Sequence, residues 1–330
     1  GEVKLGKQIH AWGAVDGNNP TDNLNPYDYY YMFLAGADRK IGTFSTSVKY
    51  YWNDWQFEAV VISEHEPNRY PFGEDDFPIA MDDPADMLIA AKKGNEFGVR
   101  LQTIIGNSDI SLSYFSGRDR GFTLVGYNYY IDWATPVLTY RKTDVIGIDI
   151  VTFFGDLTGR TEVSYYNTNN DQTTDIETFN DAAYVQFASQ LEYTTANDIT
   201  LMIQLIGNDV LEANGLTYSY DENGNPTTEL AAMNEDELQQ GMGTPFAMFT
   251  DLGMFLSAVG NYLDNALEIR INTFMDLEDN QAMLGGGVSY SPIENLDLEL
   301  SITQFYGAEG TQFKTMEDFS HLSLGIKYSF

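Results

Sequence analysis

The chain has 330 residues, with 17 Lys+Arg against 49 Asp+Glu, a formal charge of −32 and no cysteine. That acid excess repels phosphate and draws cations, which argues against a nucleic-acid partner, and the lack of thiols removes disulfides, thiolate metal sites and Cys nucleophiles. Only His10, His65 and His321 remain as nitrogen ligands, too few for an ordinary zinc site.

No run approaches the length of a membrane-crossing helix, a test that is silent on β-barrels, whose strands alternate apolar-out with polar-in. Period-two alternation is the main signal along the chain. Trp55, Phe57, Ala59 and Val61 oppose Gln56, Glu58, Val60 and Ile62; Ile199, Leu201, Ile203 and Leu205 oppose Thr200, Met202, Gln204 and Ile206. Further on, Leu267, Ile269 and Ile271 oppose Glu268, Arg270 and Asn272, and Leu296, Leu298, Leu300 and Ile302 oppose Asp297, Glu299, Ser301 and Thr303. The pattern predicts about fourteen strands, near 2–12, 40–52, 54–64, 96–106, 109–117, 141–155, 159–168, 182–195, 198–209, 249–263, 265–277, 281–292, 296–306 and 319–330.

The connectors fall into two kinds. Every second one is tiny and carries tight-turn residues, as in Asn53-Asp54, Gly106-Asn107-Ser108, Gly155-Asp156, Ala196-Asn197, Asp264-Asn265 and Glu294-Asn295. The others are mostly long, near 13–39, 65–95, 118–140, 169–181, 210–248 and 307–318. A β-sandwich or solenoid also has alternating strands but has no reason to gather its long loops at one end. The expected fold is therefore all-β: one domain over 1–330, a transmembrane antiparallel up-and-down β-barrel of about fourteen to sixteen strands, with short periplasmic turns and long extracellular loops. Closure should set residues 2–12 beside 319–330.

The loops carry two expected short helices. Asp83-Pro84 through Lys92-Lys93-Gly94 has an N-cap, Pro at N1, an acidic first turn and a basic last turn; Asn234-Glu235-Asp236-Glu237 has the look of a capping box. Either loop would constrict the bore or lie over its mouth.

The C-terminal stretch Ser323-Leu324-Gly325-Ile326-Lys327-Tyr328-Ser329-Phe330 resembles the β-signal by which Gram-negative outer-membrane proteins reach the barrel-assembly machinery, with Gly325, Tyr328 and Phe330 as its marks. A second resemblance joins Gly6-Lys7-Gln8, Trp12-Gly13, Asp16-Gly17-Asn18-Asn19-Pro20 and Asn25-Pro26-Tyr27-Asp28-Tyr29 to a broad group of porin-like outer-membrane barrels, some linked to export systems. In that group further strands precede the motif, which implies additional strands before Gly1.

The resemblance and the pattern together imply an integral outer-membrane channel without enzymatic activity or resident cofactor. It would pass small hydrophilic solutes passively, with outer-membrane lipid and lipopolysaccharide around it and a homo-oligomer or larger envelope complex as its assembly. Parity sends Lys4, Lys49, Glu58, Arg100, Glu268, Arg270, Glu299 and Lys327 into the lumen, where opposed charges would set a transverse field and the acid excess a mild cation preference. They equally serve as lumenal salt bridges. Lys7 breaks the scheme, sharing the parity of Leu5 and Ile9.

Asp16, Asn18 and Asp22, and again Asp221, Asn223 and Asn225, offer the hard oxygens that Ca²⁺ takes, though neither run completes a calcium loop. Tyr27, Tyr29, Tyr30 and Tyr31, with Tyr127, Tyr129, Tyr130 and Trp133, fit the aromatic girdle of a barrel better than a sugar-stacking site. His321-Leu322-Ser323 resembles the His-x-Ser of outer-membrane lipid hydrolases, but its lumenal parity keeps it from a lipid ester. The alternative to a channel is a loop-plugged barrel acting as adhesin, assembly partner or outer component of an export system.

Overall fold

A computed structural model describes residues 1–31, 39–74, 83–84, 87–89, 94–130, 133–171, 176–177, 181–220, 223 and 226–329. Fourteen strands follow one another in a single antiparallel sheet. They are β1 (Glu2–Gln8), β2 (Thr43–Trp52), β3 (Trp55–Ile62), β4 (Glu96–Ile105), β5 (Ser108–Arg118), β8 (Lys142–Phe154), β9 (Leu157–Asn169), β11 (Asp181–Thr194), β12 (Ile199–Tyr220), β14 (Leu252–Tyr262), β15 (Leu267–Asp276), β16 (Gln281–Ile293), β17 (Leu296–Gly307) and β18 (His321–Tyr328). Each pairs with the next along this order, the meander of a barrel wall. Four further strands lie off the path: β6 (Thr123–Tyr130), β7 (Trp133–Thr139) and β10 (Ile176–Glu177) make a separate small sheet, and β13 (Pro226–Ala232) extends β12.

The short turns are where the sequence puts them, and their backbone explains their composition. Asn53, Gly106, Gly155, Asp198, Asp264, Asn265 and Asn295 all have positive φ, the left-handed conformation that a two-residue hairpin needs and that Asn, Asp and Gly adopt most cheaply. Register then follows from parity. In the β3–β4 ladder Val61 faces Phe97, Ala59 faces Val99 and Phe57 faces Leu101, so one surface of the pair is continuously apolar.

That surface looks outward. Each of the fourteen strands exposes large apolar side chains, among them Phe44, Phe57, Phe97, Leu112, Ile146, Val163, Leu191, Leu201, Tyr262, Ile271, Leu284, Ile302 and Leu324. Tyr50, Trp52, Trp55, Phe154, Tyr193, Tyr290 and Tyr328 crowd the short-turn end of this outer surface. They form an aromatic belt at that end, which Tyr27 and Tyr29 do not join; the side chains of Tyr129, Tyr130 and Trp133 lie outside those described. Lys7 pairs with Phe44 and is exposed on the outer face, near the loop end of the wall.

Four expectations give way. Among the described residues no ladder joins β1 to β18; the two strands stand at opposite ends of the order, and Lys4 on β1 keeps 56% of its side chain exposed. Of the segment 83–94, residues 85–86 and 90–93 lie outside the described residues; among the others one turn closes from Pro84 to Met87 and Leu88, and Met87 and Ile89 then bond Leu138 of β7, because the apolar Met87-Leu88-Ile89 run finds a strand edge to bond. Residues 210–248, expected as a loop, continue β12 to Tyr220 and return as β13. The Asn234 segment makes only the 3₁₀ turn Glu235–Glu237, with Asn234 Nδ2 donating to Glu237 Oε1 at 3.2 Å.

Candidate functional site

The first long connector does not leave the barrel. From His10 to Asp28 the chain turns into the lumen, where most residues are buried and Ala11, Asp16 and Gly17 stay exposed. Its base is stapled by one side chain: Asn25 accepts from His10 N (2.7 Å) and donates to the carbonyls of Gln8 and Ile41 (3.0 Å each), tying both ends of the segment together. Trp12 N and Lys40 Nζ both donate to Asp22 Oδ2, which closes the plug on itself and onto the returning chain.

Polar contacts fix the plug to the wall. Glu162 on β9 is fully buried and accepts five hydrogen bonds, all from plug residues. Ala14 N, Val15 N (2.7 Å) and Asn19 Nδ2 (3.0 Å) reach Oε1; Thr21 N (3.2 Å) and Thr21 Oγ1 (2.6 Å) reach Oε2. A buried carboxylate is costly unless its lone pairs are filled, and each charge-assisted bond returns about 1.5–3 kcal/mol, so this nest of donors is what makes the burial tolerable. Trp12 Nε1 reaches Glu58 Oε2 on β3 (3.2 Å), Asn18 Nδ2 reaches Gln204 on β12 (2.9 Å), and Tyr166 on β9 donates to the Pro20 carbonyl (2.5 Å).

Shape matches as well. A Cβ at Gly98 on β4 would lie 2.7 Å from Trp12 Cη2, and one at Gly147 on β8 would lie 2.7 Å from Thr21 Cγ2. Gly13, at φ +89°, presses its α-carbon against Glu162, where a Cβ would meet Oε1 at 2.6 Å. Trp12 and Leu24 pack on the inward Val60, Ile62, Phe115, Val145, Tyr166 and Tyr184, so this part of the lumen has an apolar core. A second cluster, from Phe246, Phe274, Phe305, Phe313 and Phe319, closes around Val15 on the β12–β17 side.

The positions predicted to line a pore therefore divide. Glu58 and Arg100 do face inward but are buried at 3% and 8%, beneath the plug: Arg100 bonds Ser111 and Asp149 (Nη2 to Oδ1 3.0 Å), and Glu58 holds Trp12. Their burial corrects the expectation that they meet lumenal water. Lys49 lies 3.4 Å from Glu58 and keeps 31% of its side chain exposed. On the far side Glu268 and Arg270 pair at 3.4 Å and stay about a third exposed, while Glu299 and Lys327 are exposed.

Three of the calcium-type residues hold protein partners through one side-chain atom each. Asp16 accepts from Arg160 Nη1 (3.2 Å) and Gln190 Nε2 (2.6 Å), Asn18 donates to Gln204, and Asp22 receives Lys40. Asn223 lies in a turn; Asp221 and Asn225 lie outside the described residues. Among the described residues no group of three or more His, Cys, Asp or Glu stands in a metal-holding cluster. Gly325 and Tyr328 sit on β18, where Leu322, Leu324, Ile326 and Tyr328 share the outer face; Phe330 lies outside the described residues.

Tyr27 and Tyr29 are not at the outer surface either. Tyr27 is 6% exposed, and Tyr29 stacks on Tyr70 at 4.9 Å between centroids. Burial pushes the Tyr29 hydroxyl far above its usual range and that of Tyr70 up to about 12, so both rings stay neutral. They line a cavity of about 820 Å³ above the plug, whose floor includes Asp22 and Asn25 and whose walls come from 120–122, 186–187, 207–210, 238–244, 249–252 and 278–279, with Glu235, Ala247 and Asp276. Arg120 crosses from this cavity to the plug: it pairs with Glu96 (2.7 Å) and donates to the Asn23 and Leu24 carbonyls. The plug was the feature missed at the sequence level. Its Gly, Asn, Asp and Pro content is that of an ordinary solvated turn and gave no signal of burial.

No protein-family model matches the sequence, and neither does any curated protein. Solved structures do. OccAB1 of Acinetobacter baumannii superposes over 99% of this chain and 73% of its own, with 9% identity and a TM-score of 0.52. OmpT of Vibrio cholerae, an outer membrane protein, matches over 99% and 76% with 9% identity and a TM-score of 0.40, and OprB of Pseudomonas putida over 94% and 77% with 8% identity and a TM-score of 0.43. At such identities the likeness to OccAB1 is one of fold alone, that of an antiparallel outer-membrane-type β-barrel.

Proposed function

We propose that the chain is an integral protein of the bacterial outer membrane and acts as a porin-like channel, passing small hydrophilic solutes passively with a preference for cations. One observation carries the reading: every strand of the meander exposes apolar side chains outward while Ser, Gln, Glu and Arg face in. Soluble monomers rarely expose apolar patches beyond a few hundred Å², and here the exposed rows run across all fourteen strands. Lipid is the solvent that makes such a surface favourable. Cation preference draws support from the net charge of −32 and from the acidic lining of the cavity. The short turns and termini would face the periplasm and the loops the exterior, with β18 as the strand offered to the assembly machinery.

The plug favours a second reading, a closed barrel serving as adhesin, assembly partner or export component. Planar bilayers separate the two. The channel reading expects steady conductance, with a reversal potential of cation sign in a KCl gradient, and a several-fold rise when residues 13–21 are replaced by a Gly-Ser linker. Silent insertions of the intact protein at all voltages, with current only after that replacement, would establish the closed barrel.

A further inference from the structure

The outward face of the wall is not an even apolar sheet. Across β9, β11, β12, β14 and β15 it dips into a groove of about 580 Å³. Ladder register explains the dip. One row of outward residues runs Tyr193, Leu201, Ala258, Ile271 and Gly286 from β11 to β16, and the next runs Leu191, Ile203, Leu256 and Thr273. Leu201 and Ile271 stand up from the wall while Ala258 between them stops at Cβ, so the two large side chains become ridges and the alanine a floor. The described lining includes no charged residue.

Size, chemistry and position narrow the occupant. The volume falls within the about 300–1,000 Å³ of small-molecule sites. Five strands at a spacing of about 4.8 Å span about 19 Å, enough for an alkyl chain that crosses half of a hydrocarbon core about 30 Å thick. A docking peptide would need partners for its backbone N–H and C=O groups, and each strand here is already bonded along both edges, so those groups would go unpaired in an apolar setting. An alkyl chain carries none. On a flat part of the wall such a chain touches protein on one side only; between Leu201 and Ile271 it meets apolar groups on both flanks and Ala258 beneath, and the dispersion contacts add. Tyr193, a member of the aromatic belt, borders the groove and sets that end at the level of the headgroups.

We infer that this groove retains one acyl chain of a phospholipid from the leaflet at the short-turn end, as a bound lipid distinct from the exchanging bilayer. Such an occupant presupposes the outer-membrane wall and makes no demand on conduction.

Native mass spectrometry of the full chain, refolded in dodecyl maltoside with palmitoyl-oleoyl phosphatidylethanolamine as probe, tests the site. One lipid is expected to stay bound at a collision energy that strips the rest. Ala258→Trp fills the floor and should cut that retained adduct about five-fold, and Leu201→Ala/Ile271→Ala, which lowers both ridges without adding bulk, should cut it similarly. Ile146→Trp, on the outer face of β8 away from the groove, should leave it unchanged. Heat-modifiable migration checks that each variant is folded. A retained adduct equal in all variants, or a series of adducts lost together at one energy, would overturn the site. So would a dimer that Ala258→Trp dissolves, which gives the groove to a second copy. A barrel that needs detergent yet retains no lipid removes the bound chain and leaves the membrane wall, whereas a chain that stays monomeric in buffer alone removes the wall and the lipid with it.

Discussion

The two sides of the barrel interior obey different rules. Midway along the strands from β2 to β12 the inward residues are sealed, while Lys49 and Glu192 nearer the short turns stay about a third exposed: Ser45, Glu58, Glu162, Gln190 and Gln204 are all at most 3% exposed, and each is matched to a plug atom or to a neighbour on the wall. From β15 to β18 the inward residues near the short turns, Glu268, Arg270, Asn272, Glu299 and Lys327, keep water around them. Both sides present polar side chains at period two. What separates them is a second chain segment on one side, and with it the energetic weight of a polar group. Beneath the plug a lost partner leaves a buried donor unpaired, at about 1–3 kcal/mol each, while a water-facing charge pair is worth about 0–1 kcal/mol.

The sharpest way to break the comparison is Glu162→Ala. Five plug donors lose one acceptor together, so the plug should release as a unit. The expected outcome is a conductance close to that of the linker-replaced protein, with protease cleavage near residues 13–21 and an intact heat-modifiable barrel. Glu299→Ala, on the water-facing side, should alter neither property. Gly98→Leu is the steric counterpart: it drives a branched side chain into the position of Trp12, whose indole would already be 2.7 Å from a bare Cβ. Trp12 should move out, and its fluorescence should shift to the red, with a smaller rise in conductance than Glu162→Ala gives.

The barrel wall was legible in the sequence because one physical rule, alternate side chains toward lipid, repeats in every strand. Its turns were legible because a two-residue hairpin demands positive φ, which Asn53, Gly106, Gly155 and Asn295 supply. The plug was not, since its contacts pair residues about 150 positions apart, as in Thr21 with Glu162, and leave no periodicity. Parity correctly turned Glu58 and Arg100 inward but could not say that protein, not water, would meet them. The tyrosines misled for a related reason: Tyr27 and Tyr29 have the composition of a membrane belt, yet the segment that carries them folds into the bore, while Trp52, Trp55 and Phe154 make the belt.

A pH effect of intermediate size sharpens the same contrast at the upper edge of the plug. Asp119, just beyond the end of β5, is 1% exposed; Thr143 Oγ1 donates to it at 2.5 Å, and Arg118, Arg120 and Arg141 lie around it. Burial outweighs these and pushes its carboxyl up to about 6, against about 3.9 in an unfolded chain. With the folded value raised, the native state holds the extra proton, so the stabilisation is full below about pH 4 and is lost as pH rises through 6. Relative to Asp119→Asn, the parent should lose about 2–3 kcal/mol between pH 4 and pH 7, read as a lower thermal midpoint in detergent. A difference that stays constant with pH would mean the group is already ionised in the folded protein.

The smallest effect belongs to the water-facing side and bears on selectivity alone. Glu268 and Arg270 lie two apart on β15 and pair at 3.4 Å with about a third of each side chain exposed, so the pair adds about 0–1 kcal/mol to stability. Its value is electrostatic: one carboxylate removed from a narrow aqueous passage changes the local potential felt by a passing ion, within a Debye length of about 8 Å at physiological salt. Glu268→Gln should leave the thermal midpoint unchanged and move the KCl reversal potential by a few millivolts toward zero, while Arg270→Gln moves it the other way. The two shifts should shrink together as salt is raised to 1 M, because the screening length there falls to about 3 Å. Equal variants at Glu58 and Arg100, beneath the plug, should move the midpoint and leave the reversal potential alone; a reversal-potential shift from those two would show that ions pass on the plugged side after all.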